Sequence, residues 1–397
     1  MNVPMGSAGP DSGRRLRWLA VGLAAMVLLA GAGRLLRGGR GRAARGTRPA
    51  VRASDPARAE LTAAASSPAT DEPSAAGDPR FEPVTCWRDL DRFNEEVTIE
   101  TFRSWAAALL AAPDDHVLGY LKERLGELIG ADPGRATAVL GWVRDATPKE
   151  AGVFLSALRG SEAVHLPQVA ARLRALSLDA SIPLERRAGL LSALDTQRRF
   201  EPAALGQLAD LARDPGSGEA GWAATRTIGR VMETDFKRTG SFAPYLDKLL
   251  AIGSESRDDD TRYLAVSLPM HTDPILDAQA IERYARILGT EGSANGRDAA
   301  AHMLSLSQDK AKVLQIFAAA FKADADVCAR WALFRFAARA AGQDALPVMA
   351  DMAAADPRFQ PDYQIFEQIY ASGVVDFERV WLALPSQDPH DCLHRPD

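Results

Sequence analysis

The chain has 397 residues, 47% of them hydrophobic and 25% charged, which is the composition of a folded protein and not of a disordered one. Its net charge of −5 is unevenly divided. Residues 1–58 hold eleven Arg against only Asp11 and Asp55, so residues 59–397 are strongly acidic, which excludes a phosphate-backbone-binding role for that larger part.

The chain begins with a basic tail, 1–17, followed by an uncharged segment, 18–33, that runs WLAVGLAAMVLLAGAG. As a helix this segment would rise about 24 Å, a little under the ~30 Å hydrocarbon core, and Arg17 and Arg34 could extend it by snorkelling. It is expected to address the chain to a membrane. The favoured arrangement is an anchor with the bulk of the protein outside the cytoplasm, in a periplasm-like space. The alternatives are a signal peptide cut near Ala32 and an anchor with the bulk in the cytoplasm, which the seven Arg that closely follow the segment favour on the positive-inside rule. Residues 34–84 are Arg, Gly, Ala, Pro, Ser and Thr with few large apolar side chains. Such a stretch is expected to be a disordered linker.

From residue 85 to about 380 apolar residues recur at three and four, the spacing of amphipathic helices. Asp132-Pro133 is an N-cap with Pro at the first helical position, and Thr147-Pro148-Lys149-Glu150 is a capping box. Gly130, Gly160, Gly253 and Gly289 are expected to end helices in the left-handed conformation. Asp277 opens a helix that ends near Gly289.

A fixed period underlies these helices. Leu158, Leu194, Val231, Leu268 and Leu304 lie 36 or 37 residues apart. Each closes an apolar triplet: Phe154/Leu155/Leu158, Leu190/Leu191/Leu194, Thr227/Ile228/Val231, Leu264/Ala265/Leu268 and Ala300/Ala301/Leu304. Val117/Leu118/Leu121 and Leu333/Phe334/Ala337 mark further units at the two ends. A second stripe follows each triplet, for example Leu205/Leu208/Leu211 and Ile281/Tyr284/Ile287/Leu288. Each period therefore holds two helices that cannot bury their apolar faces alone.

Arg262-x-x-Ala265-x-x-Leu268 and Arg297-x-x-Ala300-x-x-Met303 resemble the core of HEAT repeats, and Asp260 and Asp324 sit where such units often begin. The drifting period resembles HEAT units more than the stricter tetratricopeptide repeat. The resemblance covers about 147–340. It implies an all-α fold, a right-handed α-solenoid of six or seven antiparallel helix pairs, with a short tail at 381–397.

No catalytic motif, cofactor-binding motif or metal-binding set stands out, so no cofactor is expected. His390-x-Cys392-x-His394 has zinc-type donors but lies in a Pro/Asp-rich stretch that suits a disordered tail better. His116, His165, His271 and His302 fall in different units, as surface or half-buried histidines. Asp258-Asp259-Asp260 suits a helix start. Trp105, Trp142, Trp222 and Trp331 lie in apolar faces and are expected in the core. Cys86, Cys328 and Cys392 are too few and scattered for a disulfide framework, and an odd count leaves at least one free thiol.

These features suggest a membrane-tethered scaffold, without catalytic activity of its own, that binds a protein or peptide partner on the concave face of its solenoid. In HEAT-like arrays the second helices line that face. The candidate contacts are then Gln168, Arg172, Gln207, Asp210, Asp247, Lys248, Glu282 and Arg286. The competing expectations are an α-solenoid enzyme acting on an envelope polymer or glycan, which requires a deep polar pocket, and a structural spacer with no partner.

Overall fold

Local cap chemistry divides the chain into helices where the sequence places it. In the computed structural model, which describes residues 90–111, 115–272 and 276–392, the Asp132 carboxylate accepts hydrogen bonds from the Gly134 and Arg135 amides. The Thr147 hydroxyl accepts from the Glu150 amide at 3.3 Å while the Glu150 carboxylate accepts from the Thr147 amide at 2.8 Å. Asp258 and Asp277 cap their helices in the same way. The described residues are helical without strands. The segment 18–33 and the linker lie outside them, and among the described residues no helix is long and apolar enough to cross a membrane.

The helices are α1 (Leu90–Glu96), α2 (Ile99–Trp105), α3 (Ala107–Ala111), α4 (Asp115–Ile129), α5 (Pro133–Trp142), α6 (Pro148–Gly160), α7 (Pro167–Leu178), α8 (Leu184–Leu194), α9 (Pro202–Arg213) and α10 (Gly218–Thr239). They continue as α11 (Ala243–Glu255), α12 (Asp259–Ser267), α13 (Ala278–Thr290), α14 (Ala294–Ser305), α15 (Lys310–Ala323), α16 (Val327–Ala341), α17 (Leu346–Ala355), α18 (Gln360–Ala371) and α19 (Phe377–Ala383). Of the four glycines expected to stop helices, only Gly130 takes a left-handed φ, +51°. Gly160 is the last residue of α6, and Gly253 and Gly289 lie inside α11 and α13. At Gly253 the cause is packing: a Cβ there would approach Val266 to 2.7 Å, so the missing side chain lets α12 come close.

The triplets fall on α6, α8, α10, α12, α14 and α16, except that Leu268 sits in the 3-10 turn just after α12, and nearly all their side chains are buried. Each of these helices packs on the next, and α4 extends the row with Leu118 and Leu121. The polar exception has a partner. Thr227 is buried, and its hydroxyl donates to the Leu191 carbonyl at 2.9 Å, one period upstream. The helices of the second stripes, α7, α9, α11, α13 and α15, alternate with the triplet helices along the chain, and each packs far more extensively on the triplet helix that follows it than on the one before. The hairpins are therefore α7/α8, α9/α10, α11/α12, α13/α14 and α15/α16. They are offset by one helix from a pairing that starts at each triplet. The loops inside three of these hairpins, 256–258, 291–293 and 324–326, have three residues each, but 240–242 between α10 and α11 is as short, so the meeting of apolar faces and not loop length sets the pairing.

These short loops also carry an ionic ladder. Arg262 at the start of α12 pairs with Glu291, 2.7 Å away in the loop of the next hairpin. Arg297 at the start of α14 pairs with Asp324 at 2.9 Å and donates to the Glu291 and Gly292 carbonyls. Arg330 at the start of α16 pairs with Asp356 at 2.7 Å. Each of these arginines thus ties its helix to the following turn. Charge-assisted pairs of this kind gain strength where water is excluded, and Glu291 is only 3% exposed. Burial alone would raise its carboxyl, but Arg262 and the Ser293 and Gly292 amides outweigh burial and hold it below the usual range.

The C-terminal segment is packed on this framework as far as residue 392. α19 crosses the expected boundary at 380, and residues beyond it return to α16, where Cys392 is disulfide-bonded to Cys328 with Cα atoms 5.4 Å apart. Spacing gave no sign of this bridge, because the partners are 64 residues apart and meet only once α16 to α19 have folded. Cys86 lies outside the described residues.

Two outcomes are expected. Glu291→Ala leaves Arg262 half-buried without its main partner and should lower stability by about 3 kcal/mol, measured by urea unfolding. Because the folded state holds this carboxyl low, its contribution is present at neutral pH and is lost as pH falls through the carboxylate range. The variant should therefore lose less stability than the parent on acidification. Alkylation of the unfolded, non-reduced chain should label Cys86 alone, and all three cysteines should be labelled after reduction.

Candidate functional site

Helical spacing brings a run of polar and aromatic side chains onto the part of the triplet helices that does not pack. On α10, Trp222, Arg226 and Arg230 recur at four-residue steps and share one face. On α14, Asp298 and His302 do so, as do Arg335 and Arg339 on α16. Gly189, Arg226 and Tyr263 each immediately precede a triplet, so the same register position changes from glycine to charged to aromatic along the row.

Contacts across neighbouring helices join these groups. Arg159 of α6 pairs with Asp195 at the end of α8, 2.9 Å away. The Arg226 guanidinium lies over the Trp222 ring, 6.0 Å from its centroid. Arg230 pairs with Glu233 at 3.3 Å. Asp298 is ion-paired to Arg335. His302 stacks on Phe336 with centroids 4.8 Å apart, and Arg335 lies over Phe336, Trp331 and Trp381. Arg339 lies over Phe377 and 3.9 Å from Glu378.

The electrostatics of this face are unusual for groups that water can reach. Burial raises the Asp298 carboxyl in spite of Arg335, although 32% of its side-chain surface is open. Burial and the charge of Asp298 raise the Tyr263 phenol, which is 38% exposed. His302 is pushed down to about 3 by burial and then by the charges of Arg339, Arg335 and His271. Burial lowers His271 as well, Arg230 reinforcing this and Glu233 opposing it. Burial lowers Arg226, with Arg230 and Arg159 acting in the same direction and Asp195 against it. These side chains remain accessible and yet are partly desolvated by the protein around them. Perturbed titration of this kind collects at functional sites.

At the α6–α8 end the same face opens into a cavity of about 290 Å³ lined by Gly152, Leu155, Ser156, Pro183, Gly189 and Ser192, with Arg159 and Arg186 also contributing. The walls are mostly apolar, with Glu185 and the two arginines as their charged members, and the small residues make the room. Gly152 has nothing within 4 Å of a would-be Cβ.

The residues expected to contact a partner lie on the other row of helices. Gln168 and Arg172 are on α7, Gln207 and Asp210 on α9, Asp247 and Lys248 on α11, and Glu282 and Arg286 on α13. All but Lys248 are exposed. Three of them are engaged within the protein: Asp210 with Arg213, Asp247 with Arg283 at 2.7 Å, and Glu282 with Lys312 at 3.2 Å. Trp105 and Trp331 are buried and Trp142 is half-buried, as expected of core tryptophans, but Trp222 is 37% exposed. It sits on the face opposite Ala220, Ala224 and Ile228, whose packing fills the core side of α10. His271 and His302, separate in sequence, lie within electrostatic reach of each other, while His116 and His165 are exposed elsewhere. The zinc-type donors near the C-terminus are otherwise engaged. His390 Nε2 is 3.0 Å from Asp362 with its ring against Phe359, and the Cys392 sulfur is in the bridge. His394 lies outside the described residues.

In comparisons with known proteins the chain matches no protein-family model and no curated sequence.

The depressed His302 gives a pH signature. Its unfolded form takes a proton near pH 6.5 and its folded form only near 3, so stability falls as pH drops through that window. His302→Leu should lose less stability than the parent between pH 7 and 5 in parallel urea titrations.

Proposed function

We propose that this protein is a membrane-tethered α-solenoid scaffold that binds a protein or peptide partner along the exposed face of its triplet helices. In this reading the segment 18–33 is the anchor, 34–84 the tether, and the hairpins from α5 onward the HEAT-like array. The observation that carries it is the run of accessible but desolvated groups at Arg226, Tyr263, His271, Asp298 and His302, flanked by the ion pair of Arg159 on α6 and the Arg339–Glu378 contact on α16.

The more extensive packing among triplet helices than among the second-stripe helices supports placing the triplet row on the inner arc of the array, because the layer with the shorter arc brings its helices closer together. The extended concave surface of such arrays is where partners bind. This assignment moves the docking face from the row of Gln168, Arg172, Asp247 and Arg286 to the row of Trp222, Arg226, Tyr263 and His302. The Cys328–Cys392 bridge supports a domain outside the cytoplasm, since disulfides persist in oxidising compartments.

A photo-crosslinking residue in place of Tyr263 should capture the partner in intact cells, whereas the same residue in place of Arg286 should not. Capture from position 286 alone would remove the inner face from consideration. A reporter active only outside the cytoplasm, fused after residue 84, is expected to be active.

A further inference from the structure

The face described above carries a local charge imbalance that names its partner's chemistry. Around Arg226 three guanidiniums meet two carboxylates, and both carboxylates are already paired, Asp195 with Arg159 at 2.9 Å and Glu233 with Arg230 at 3.3 Å. No ion pair joins Arg226 to a carboxylate among the described residues, and its guanidinium lies over the Trp222 ring, 6.0 Å from the centroid. Arg226 feels the attraction of Asp195, but that carboxylate is shared with Arg159, and Arg230 and Arg159 both oppose the Arg226 charge, so an incoming anion that replaces the lost water adds compensation. Trp222, 37% exposed, offers an apolar platform beside it, and Trp–Arg pairs of this kind dominate binding energy at interfaces. Arg159 continues from this group to the cavity between α6 and α8, whose walls at Leu155 and Pro183 suit an aliphatic or small aromatic side chain.

We propose that the partner is an acidic peptide segment, with a carboxylate seated at Arg226 against Trp222 and a neighbouring apolar side chain in the α6–α8 cavity. This rests on the inner-face reading given above and deepens it. The overall negative charge of residues 59–397 sharpens the selection. An acidic segment is repelled by most of the surface and gains only at the arginine group, so attraction fixes its position as well as its affinity.

The test is a selection from a phage-displayed library of short random peptides against the full chain in detergent micelles, followed by fluorescence anisotropy with labelled copies of the enriched peptides. Enriched peptides should carry Asp or Glu beside an apolar residue. Arg226→Gln should weaken them by about tenfold or more, Arg226→Lys should restore part of the loss, and Arg286→Gln should have no effect. Unchanged melting of Arg226→Gln verifies the fold, and Trp222→Ala gives a second, neutral reading of the same contact. Enriched peptides that lack acidic residues but lose binding on Tyr263→Ala would overturn the acidic partner and leave the face standing. Peptides indifferent to Arg226→Gln, Trp222→Ala and Tyr263→Ala alike, or no enrichment at all, would overturn both. A single-stranded oligonucleotide that binds as tightly and is lost with Arg226→Gln would also overturn the peptide, because any polyanion would then serve.

Discussion

A short helical hairpin has two apolar edges and no interior of its own, and everything else in this protein follows from that deficit. Leu190, Leu191 and Leu194 can leave water only between the neighbouring triplet helices, with Phe154 and Leu158 on one side and Ile228 and Val231 on the other. Burying a leucine side chain gains about 2 kcal/mol, which offsets the entropy of ordering a helix only when several such side chains are covered together. Each hairpin therefore depends on its neighbours. The requirement is non-directional, and the directional component comes from the ladder of Arg262, Arg297 and Arg330. Each guanidinium reaches a carboxylate in the turn of the next hairpin, so the ladder sets the register that hydrophobic burial leaves loose.

The same division of labour leaves one face free. On a triplet helix the positions that pack are held to small or aliphatic residues by their neighbours, as the close approach at Gly253 and the buried hydroxyl of Thr227 illustrate. The positions just before the triplets carry Gly189, Arg226 and Tyr263 and, one residue further back on α14, Asp298, and these lie off the packed side. Because they sit where helices crowd together, their charges are costly to solvate. The buried side of Asp298 and the depressed His302 express that cost, and it is the condition under which a ligand's charges and apolar groups have the most effect.

Much of the fold was legible along the chain. The caps at Asp132, Thr147, Asp258 and Asp277, the triplets and the second stripes are local signals: a capping carboxylate reaches two or three residues, and an apolar stripe has the period of a single helix. The misjudged features were those that depend on another helix. Gly253 looks like a stop until α12 lies against it. Trp222 looks like core because its size is visible and its direction is not. The pairing of helices into hairpins depended on which apolar faces meet, and the Cys328–Cys392 bridge joined residues that no spacing relates. The candidate site was the least legible part, since Arg226, Tyr263, His302 and Arg335 come from four helices and no two of them share a motif.

The amino-acid sequence by itself determined that the chain is helical, where most helices start, which side chains they bury and that the pattern recurs at a near-constant interval. It could do so because these properties arise from interactions within one helix or from a helix and water. The tertiary structure alone decided which helices form hairpins, which arginine meets which carboxylate and which polar groups lose their solvation together. Those outcomes rest on distances between segments some 35 residues apart, and a linear pattern carries the interval between such residues but not the direction in which their side chains point.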